Sequence, residues 1–468
     1  MERTFFYPHI HLTGIKGVAM TAFALWCKDS GMTVTGSDVA DDFPTKEALS
    51  AAKIPMSIGF EADHIPKNTS CLVYTGAHGG STNIEVIEAK RRGIPVYPQG
   101  IALGKAMNGK RGISVAGCHG KTTTSAFLAH VFSTLGQSPS YAIGCGMILP
   151  DMVPGAKGTG DAFIVEADEY MTDPIADPTP RFMWQHPEIL VVTNIDYDHP
   201  DVYKTIVDVQ DAFVQLAKQS STLVINCDDK NSHMLREFPS VVTYGASPDA
   251  DVRIMNIRFD TGRTYVDFSV DGIDVGTATL HIPGRHNASN AAAVLAACRS
   301  YGLPIPSIID ALSHFRGTRR RSELIGEMKN GTIIYDDYAH HPGEIEATLS
   351  GIRAWYPKHH ITCVFQPHTY SRTKSLMAEF SRCFRDANVV IIADIYASAR
   401  EHDTLGITSE TLVSQIHTTG MNVLYAHGYD DVVGHLRRQT AQGPEVIVFM
   451  GAGDIADWPR EYLKKENT

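Results

Sequence analysis

The segment Gly112-Ile-Ser-Val-Ala-Gly-Cys-His-Gly-Lys-Thr-Thr-Thr124 restricts what this chain can fold into more than any other. An apolar run closes on Gly117. Gly120, Lys121 and three threonines then lead into a mixed apolar stretch from Ser125 to Leu135. That order predicts a strand, a tight loop and a helix. In such a loop the backbone N–H groups and the helix N-terminus surround phosphate oxygens, Lys121 supplies a point charge, and the Thr122 hydroxyl faces Mg²⁺. The strict pattern also asks for glycine at position 115, where this chain has valine, so the loop takes its meaning from the rest of the sequence.

At 468 residues the chain exceeds what one compact core holds, which predicts about three domains. The formal charge of −11 argues against a general nucleic-acid or anionic-membrane surface, while leaving room for a local basic pocket. No apolar run reaches membrane-crossing length, and no secretory pattern opens the chain. The eight cysteines are scattered without a Cys-x-x-Cys pair, which disfavours a disulfide framework and structural zinc. The expectation is a cytoplasmic protein, monomeric or weakly dimeric, with neither nucleic acid nor membrane as partner.

Residues 1–107 read as a first domain. His9 to Thr13 is a strand, Gly14 and Gly17 turn the chain, and a helix runs through about Ser30. A second strand, Val34 to Asp38, ends on a carboxylate, completing a mononucleotide-binding βαβ pattern. Lys16 and Ala19 break the dinucleotide fingerprint, which disfavours an NAD enzyme and favours a nucleotide diphosphate on the helix N-terminus. Further strands at Cys71–Thr75 and Gly93–Tyr97, with a helix at Asn83–Arg91 between them, imply a parallel sheet.

Residues 108–315 follow as a central domain. An apolar strand carries Glu166 of Glu166-Ala-Asp-Glu169 to its carboxyl end, and Ile189 to Thr193 leads to Asn194-Ile-Asp-Tyr-Asp198-His199. Acidic and imidazole groups at successive strand ends, beside a Lys-Thr loop, suit one or two Mg²⁺ ions. Helix capping by aspartate is the plainer alternative for any one of them. Asp173 to Pro187 has neither periodicity nor caps and reads as a loop or irregular insertion. Between about 250 and 282 the runs are short and alternating, as in antiparallel strands. A helix start carrying His286, Asn287 and Asn290 offers hydrogen bonds to a purine base.

Residues 316–468 form a last domain. Four arginines fall between Arg316 and Arg321, at a domain junction where they could face phosphate. Thr332 to Asp337 delivers Asp336, Asp337, His340 and His341 to a strand end; Ile361 to Phe365 leads to His368 and Arg372. With Val389–Asp394 and Val446–Met450, four strands predict another parallel sheet. No Gly-x-Ser-x-Gly elbow is present, which disfavours a serine hydrolase of that class. An ATP-dependent ligase explains the parts: ATP phosphorylates a carboxylate and an amine attacks the acyl phosphate.

Eight motifs in order carry a family resemblance. They are His11-Leu-Thr-Gly-Ile-Lys-Gly-Val-Ala-Met20, Thr35-Gly-Ser-Asp38, Gly117 to Thr124, Glu166 to Glu169, Asn194 to His199, Gly284-Arg-His-Asn-x-x-Asn290, Asp336 to Pro342, and Phe365 to Lys374. The chain resembles the Mur ligases of peptidoglycan precursor synthesis, over nearly its whole length. The resemblance implies an α/β fold of three domains: a Rossmann-like N-terminal domain for a UDP-sugar, a central ATPase domain with a phosphate loop and a mainly parallel sheet, and a Rossmann-like C-terminal domain for the incoming amino acid. It implies ATP and Mg²⁺ as cofactors, UDP-N-acetylmuramate and L-alanine as substrates, and a role in cell-wall biogenesis.

Residue by residue, it assigns Gly14, Ile15, Lys16, Gly17 and Asp38 to the UDP part, and Gly117, His119, Gly120, Lys121, Thr122 and Thr123 to the ATP phosphates. His286 and Asn290 fall to adenine, Arg320 and Asp337 to ATP from the C-terminal side, and His340, His341, His368 and Arg372 to the acceptor. The resemblance gives Thr122, Glu166 and His199 to Mg²⁺, and Lys121, Glu166, His199, His340 and Arg372 the catalytic roles. One departure stands out. Alanine-adding members continue Glu-Ala-Asp-Glu with Ser-Asp and a short run, whereas this chain has Tyr170 and a longer segment through Pro187. A relative that attaches a recycled murein tripeptide shares the tyrosine, while residues 365–374 favour the alanine-adding branch. A nucleotide-regulated binding protein that keeps the fold without catalysis is the alternative from another class.

Overall fold

The computed structural model describes residues 5–41, 43–197, 199, 201–397, 401, 403–438 and 443–467. Apolar strands alternating with helices cover both faces of a parallel sheet, and this chain does so three times. The first sheet contains β1 (His9–Thr13), β2 (Thr33–Asp38), β3 (Met56–Ile58), β4 (Cys71–Tyr74) and β5 (Val96–Pro98), in the order β3-β2-β1-β4-β5 with every pairing parallel. Its helices are α1 (Val18–Asp29), α2 (Lys46–Ala52), α3 (Ile84–Arg91) and α4 (Gln99–Met107).

The second sheet has ten strands, ordered β17-β16-β15-β14-β13-β12-β6-β9-β7-β8. They are β6 (Arg111–Ala116), β7 (Ser140–Ala142), β8 (Gly155–Ala156), β9 (Ala162–Ala167), β12 (Ile189–Val192), β13 (Thr222–Asn226), β14 (Val241–Gly245), β15 (Val252–Asp260), β16 (Arg263–Val270) and β17 (Ile273–Leu280). From β7 to β15 the pairings are parallel. Two-residue connections make β15 to β17 antiparallel, as the alternating sequence predicts. The helices here are α5 (Lys121–Thr134), α6 (Ile206–Ala217), α7 (Arg285–Tyr301) and α8 (Ile305–Leu312). Outside this sheet, β10 (Met171–Asp173) and β11 (Asp177–Pro180) pair antiparallel. The segment read as irregular is thus a short hairpin, built on tertiary contacts rather than on local periodicity.

The third sheet comprises β18 (Glu323–Glu327), β19 (Ile333–Asp337), β20 (His360–Phe365), β21 (Val389–Ile392), β22 (Val423–Tyr425) and β23 (Glu445–Met450), ordered β18-β19-β23-β20-β21-β22. Only β18, an edge strand, runs antiparallel. Helices α9 (Pro342–Trp355) and α10 (Tyr370–Ser375) follow β19 and β20. Two compact units result: Met1–Ile257 with Tyr265–Leu280 and Asn287–Arg319, and Arg258–Thr264 with His281–His286 and Arg320–Thr468.

In the first unit one core runs from the first sheet into the second. Phe23 stacks on Trp26, with ring centroids 5.7 Å apart, and Trp26 stacks on Phe163 of β9 at 5.6 Å. Helix α1 is therefore buried against the central sheet as well as its own. Phe163→Ala is expected to cost about 3–5 kcal/mol, read as a lower urea midpoint; a change below about 1 kcal/mol would mean that the site collapses around the gap. On α5, burial, with His314 and Arg316 nearby, pushes His130 down to about 4. The unfolded imidazole titrates near pH 6.5, so between about pH 6.5 and 4 the unfolded state binds the extra proton and stability falls as pH is lowered. Unfolding curves across that window should show the loss, and His130→Asn should flatten it.

Candidate active site

Strand β6 ends at Ala116 and α5 starts at Lys121, so the four residues between them form the predicted loop. Gly120 has φ +84°, and a Cβ there would lie 2.8 Å from Asn290 Oδ1. Only glycine fits that conformation and that approach. Asn290 thus packs on the loop, with its Nδ2 donating to Asn287 Oδ1 at 3.0 Å. The next strand end pins the loop from the other side. Thr193 Oγ1 and Asn194 Nδ2 donate to His119 O at 2.6 and 2.9 Å, and His119 N donates to Asn194 Oδ1 at 3.0 Å. Helices α3, α6 and α9 are capped by the side chains of Asn83, Thr205 and His341, whereas α1 and α5 begin at Gly17 and Gly120 with no side-chain cap. Helices α2, α4, α8 and α10 lack a side-chain cap too, so the distinguishing feature of α1 and α5 is the glycine before the first turn, which leaves room for an anion at the helix N-terminus.

Lys121 Nζ donates to both oxygens of Glu169, at 3.0 and 2.9 Å, and to Gly117 O at 2.5 Å. Burial disfavours the ammonium, but Glu169 and Asp168 outweigh it and hold the Lys121 pKa above its usual value. Glu169 is itself buried, and its Oε1 lies 3.8 Å from His199 Nε2. Sequence reading included Glu169 in a motif without giving it a role; the usable signal was a phosphate-loop lysine in need of a buried counter-charge. Glu166 accepts from Gly144 N at 2.9 Å. Burial raises its pKa against the opposing influence of Lys121, the Gly144 N–H and the Thr122 hydroxyl. Asp168 is held low: burial would raise it, but Arg181, at 2.7 Å, and Lys121 prevail.

Thr122 and Glu166 are therefore neighbours, an oxygen pair of the kind Mg²⁺ uses when phosphates and waters complete its shell. His199 faces Glu169 and packs edge-on against Tyr170, centroids 5.1 Å apart. Among the described residues no group of three or more His, Cys, Asp or Glu side chains is arranged to hold a metal; Asp198 lies outside those residues.

The first sheet builds a second corner. Asp38 is fully buried, and its carboxylate accepts from Lys16 N at 2.7 Å and Val39 N at 2.8 Å. Gly14 N and Ile15 N donate to Ser37 O at 2.9 and 3.2 Å. Lys16 folds back to donate through Nζ to Val39 O and Asp41 O, at 2.5 and 2.8 Å. Its charge ties down the loop after β2. His78, which sequence reading passed over, lies with Nε2 3.6 Å from Asp38 Oδ1.

In the second unit the arginine run is dispersed among carboxylates. Arg320, at φ +60°, is buried and bonds through Nε to Asp336 at 3.2 Å, while Arg321 meets Glu344 at 3.4 Å. Arg319, in the first unit, pairs with Glu47 at 2.7 Å. Asp336 is pushed up to about 6 by burial, against the pull of Arg320. Asp337 accepts from Ser322 N and Ala339 N at 2.6 and 2.7 Å. His340 and His368 meet edge to face with centroids 5.8 Å apart, and Arg372 Nη1 donates to His368 O at 3.3 Å. Burial lowers the His340 pKa, with Glu344 opposing and Arg372 reinforcing it. His341 caps α9, accepting from Gly343 N. His286 packs on Gly284. Tyr396, stacked on His368 at 5.7 Å, joins this cluster without a sequence signal.

Three family models match in succession: the Mur ligase family catalytic domain over residues 9–111, the Mur ligase middle domain over 115–298, and the Mur ligase glutamate ligase domain over 320–453. A UDP-N-acetylmuramate–L-alanine ligase of Desulfitobacterium hafniense is 38% identical over 452 residues, spanning 96% of this chain and 97% of that protein. The chain belongs to the Mur ligase family. A ligase of the same description from Clostridium novyi is 36% identical over 95% of both chains. Among solved structures, a UDP-N-acetylmuramate–alanine ligase from Thermotoga maritima matches with a TM-score of 0.82 at 24% identity, covering 98% of this chain and 99% of that one. A murein peptide ligase from Psychrobacter arcticus matches with a TM-score of 0.69 at 22% identity, covering 99% of each. The three-domain α/β architecture is that of a Mur ligase.

The phosphate loop gives a direct test. Gly120→Ala puts a Cβ into a left-handed conformation and against Asn290, a strain of about 1–3 kcal/mol. Calorimetric titration of the folded variant should show ATP binding weakened about tenfold or more; unchanged affinity would place the phosphates elsewhere.

Proposed function

We propose that this Mur ligase joins L-alanine to the lactyl carboxylate of UDP-N-acetylmuramate, at the expense of ATP, in peptidoglycan precursor synthesis. The observation that carries this reading is similarity along nearly the full chain to relatives of that activity, at 36–38% identity. The polar strand ends support it. Lys121, at the foot of an uncapped helix, neutralises charge on the transferring phosphoryl group, while Gly117, His119, Gly120, Thr122 and Thr123 supply the loop around the phosphates. Mg²⁺, held by Thr122 and Glu166 with His199 nearby, would neutralise phosphate oxygens when bound.

By the family resemblance Asn290 and His286 are assigned to the adenine, and Arg320 and Asp337 to the nucleotide. Gly14 to Gly17 and Asp38 hold the UDP diphosphate at the N-terminus of α1. The carboxylate takes the γ-phosphoryl group of ATP to become an acyl phosphate, releasing ADP, and the L-alanine amine then displaces inorganic phosphate to form the amide. That amine must lose a proton first, and His340, His341 and His368 bring imidazoles to the acceptor region with Arg372 beside them. The protein acts as a monomer or weak homodimer in the cytoplasm. Among its described residues, no helix is long and apolar enough to cross a membrane.

An acceptor screen tests the assignment. Purified protein with ATP, Mg²⁺ and UDP-N-acetylmuramate should yield the alanyl product by mass with L-alanine. Product with the murein tripeptide alone would replace synthesis by recycling. ATP binding with no amide product under any acceptor would leave a binding protein. Lys121→Ala should lower kcat about 10²–10³-fold, the scale of losing one transition-state donor.

A further inference from the structure

The hairpin β10–β11 belongs to none of the roles assigned so far, yet it touches both corners of the first unit. At one end Tyr170 packs on His199 and donates from its hydroxyl to Asp201 at 2.8 Å, and Arg181 binds Asp168. At the other end Asp173 is fully buried and leaves the hairpin's own domain. Its Oδ2 accepts from the Tyr74 hydroxyl at 3.1 Å and from Ser81 N at 2.9 Å. Its Oδ1 accepts from Ile175 N and Ala176 N at 2.9 and 3.3 Å within the hairpin. Burial would raise the pKa of this carboxyl, but the N–H groups of Ile175 and Ser81 outweigh burial and keep it low. A buried carboxylate thus has donors from two domains, and removing its charge loosens both.

The two outside donors bracket one loop. Tyr74 ends β4 and Ser81 follows Gly80, so Asp173 grips the segment Thr75 to Gly80 at both ends. The approach is close: a Cβ on Gly80 would lie 2.8 Å from Asp173 Oδ1. That loop carries His78, 3.6 Å from Asp38, and a Cβ on Gly14 would meet His78 Cδ2 at 3.6 Å. The loop therefore forms one wall of the corner made by the Gly14–Gly17 turn and Asp38. Acyl transfer requires the sugar's carboxylate at the phosphate loop, where small misplacements are expensive. A hairpin fixed to Asp168 and His199 at one end and to the sugar corner at the other sets that distance.

We propose that Asp173 is a positioning residue for the sugar nucleotide: it holds the 75–80 loop, and with it His78, against Asp38 and the Gly14 turn. This rests on the assignment of that corner to UDP-N-acetylmuramate. The role differs from a purely structural one in what it moves. Loss of structural support lowers the melting temperature and the amount of active enzyme but leaves the KM values of the folded fraction alone.

The test is steady-state kinetics on the full chain with each substrate varied in turn. In Asp173→Asn the KM for UDP-N-acetylmuramate should rise about tenfold, the scale of losing a hydrogen-bonded charge, with the KM for ATP within about twofold of wild type. Tyr74→Phe, which removes one neutral donor and keeps the carboxylate, should raise the same KM about threefold. That variant carries the test if Asp173→Asn does not fold. An unchanged sugar KM in the folded variants, or an equal rise for ATP, would overturn the proposal. Asp38→Ala separates the two readings. If it raises the sugar KM while the Asp173 and Tyr74 variants do not, the positioning role fails alone. If it leaves the sugar KM unchanged, the corner itself is wrongly assigned.

Discussion

A buried ammonium cannot stand alone, and the first unit is built around that constraint. Lys121 sits where a phosphate loop must put it, at the end of β6 and the start of α5, and both oxygens of Glu169 take its charge. Glu169 can reach it only because β9 lies directly beside β6, in parallel register with Val115 opposite Glu166. The strand order of the central sheet is thus the condition for neutralising the lysine. Thr193 and Asn194, at the end of β12 on the other side of β6, hold the loop from the opposite flank. Three adjacent strand ends, brought together by topology, make one polar corner.

The same rule operates in the first sheet with a different economy. Asp38 ends β2 beside β1, and its carboxylate satisfies the backbone of the glycine turn. The turn is then rigid, while the first N–H groups of α1 remain uncapped. Side-chain caps are present on α3, α6 and α9 and absent from α2, α4, α8 and α10, so a missing cap alone does not mark a site; the glycine before the first turn is what α1 and α5 share. An uncapped N-terminus preceded by glycine is the local signature of both corners, and it was visible in the spacing Gly14–Gly17 and Gly117–Gly120.

What the sequence made legible follows from what is local. Parallel strands with continuous apolar runs, such as Ile189–Val192, announce burial on both faces, and the loop glycines announce their backbone conformations. Edge strands β18 and β22 escaped because short, half-exposed runs carry little pattern. The hairpin at 171–180 escaped because its order comes from Tyr74, Ser81 and Arg181, partners far away or outside its own turn. Lys16, assigned by the resemblance to the UDP part, also ties its ammonium to the carbonyls of residues 39 and 41, a contact with no local sequence signal. Neither Glu169 nor His78 has a role that the sequence alone reveals, since charge pairing across strands has no one-dimensional spacing. The run Arg316–Arg321 read as one basic patch, yet successive residues around φ +60° at Arg320 point to different carboxylates.

That dispersal explains how a chain of net charge −11 handles highly charged anionic substrates. Cations near the polar strand ends are held by carboxylates: Lys121 by Glu169, Arg181 by Asp168, Arg320 by Asp336, Arg321 by Glu344. A net positive field would attract polyanions indiscriminately and would repel Mg²⁺. Paired cations present no such field, and a phosphate gains them only by entering a geometry in which it can share the lysine with the carboxylate already there. On the proposed assignment, selectivity comes from the loop and the glycine-led helix that define the geometry, while the carboxylates hold the cations in place. An acidic protein with compensated cations is in this sense better suited to a metal-bound nucleotide than a basic one, because the carboxylates that quiet the lysine are the same chemical groups that attract the metal.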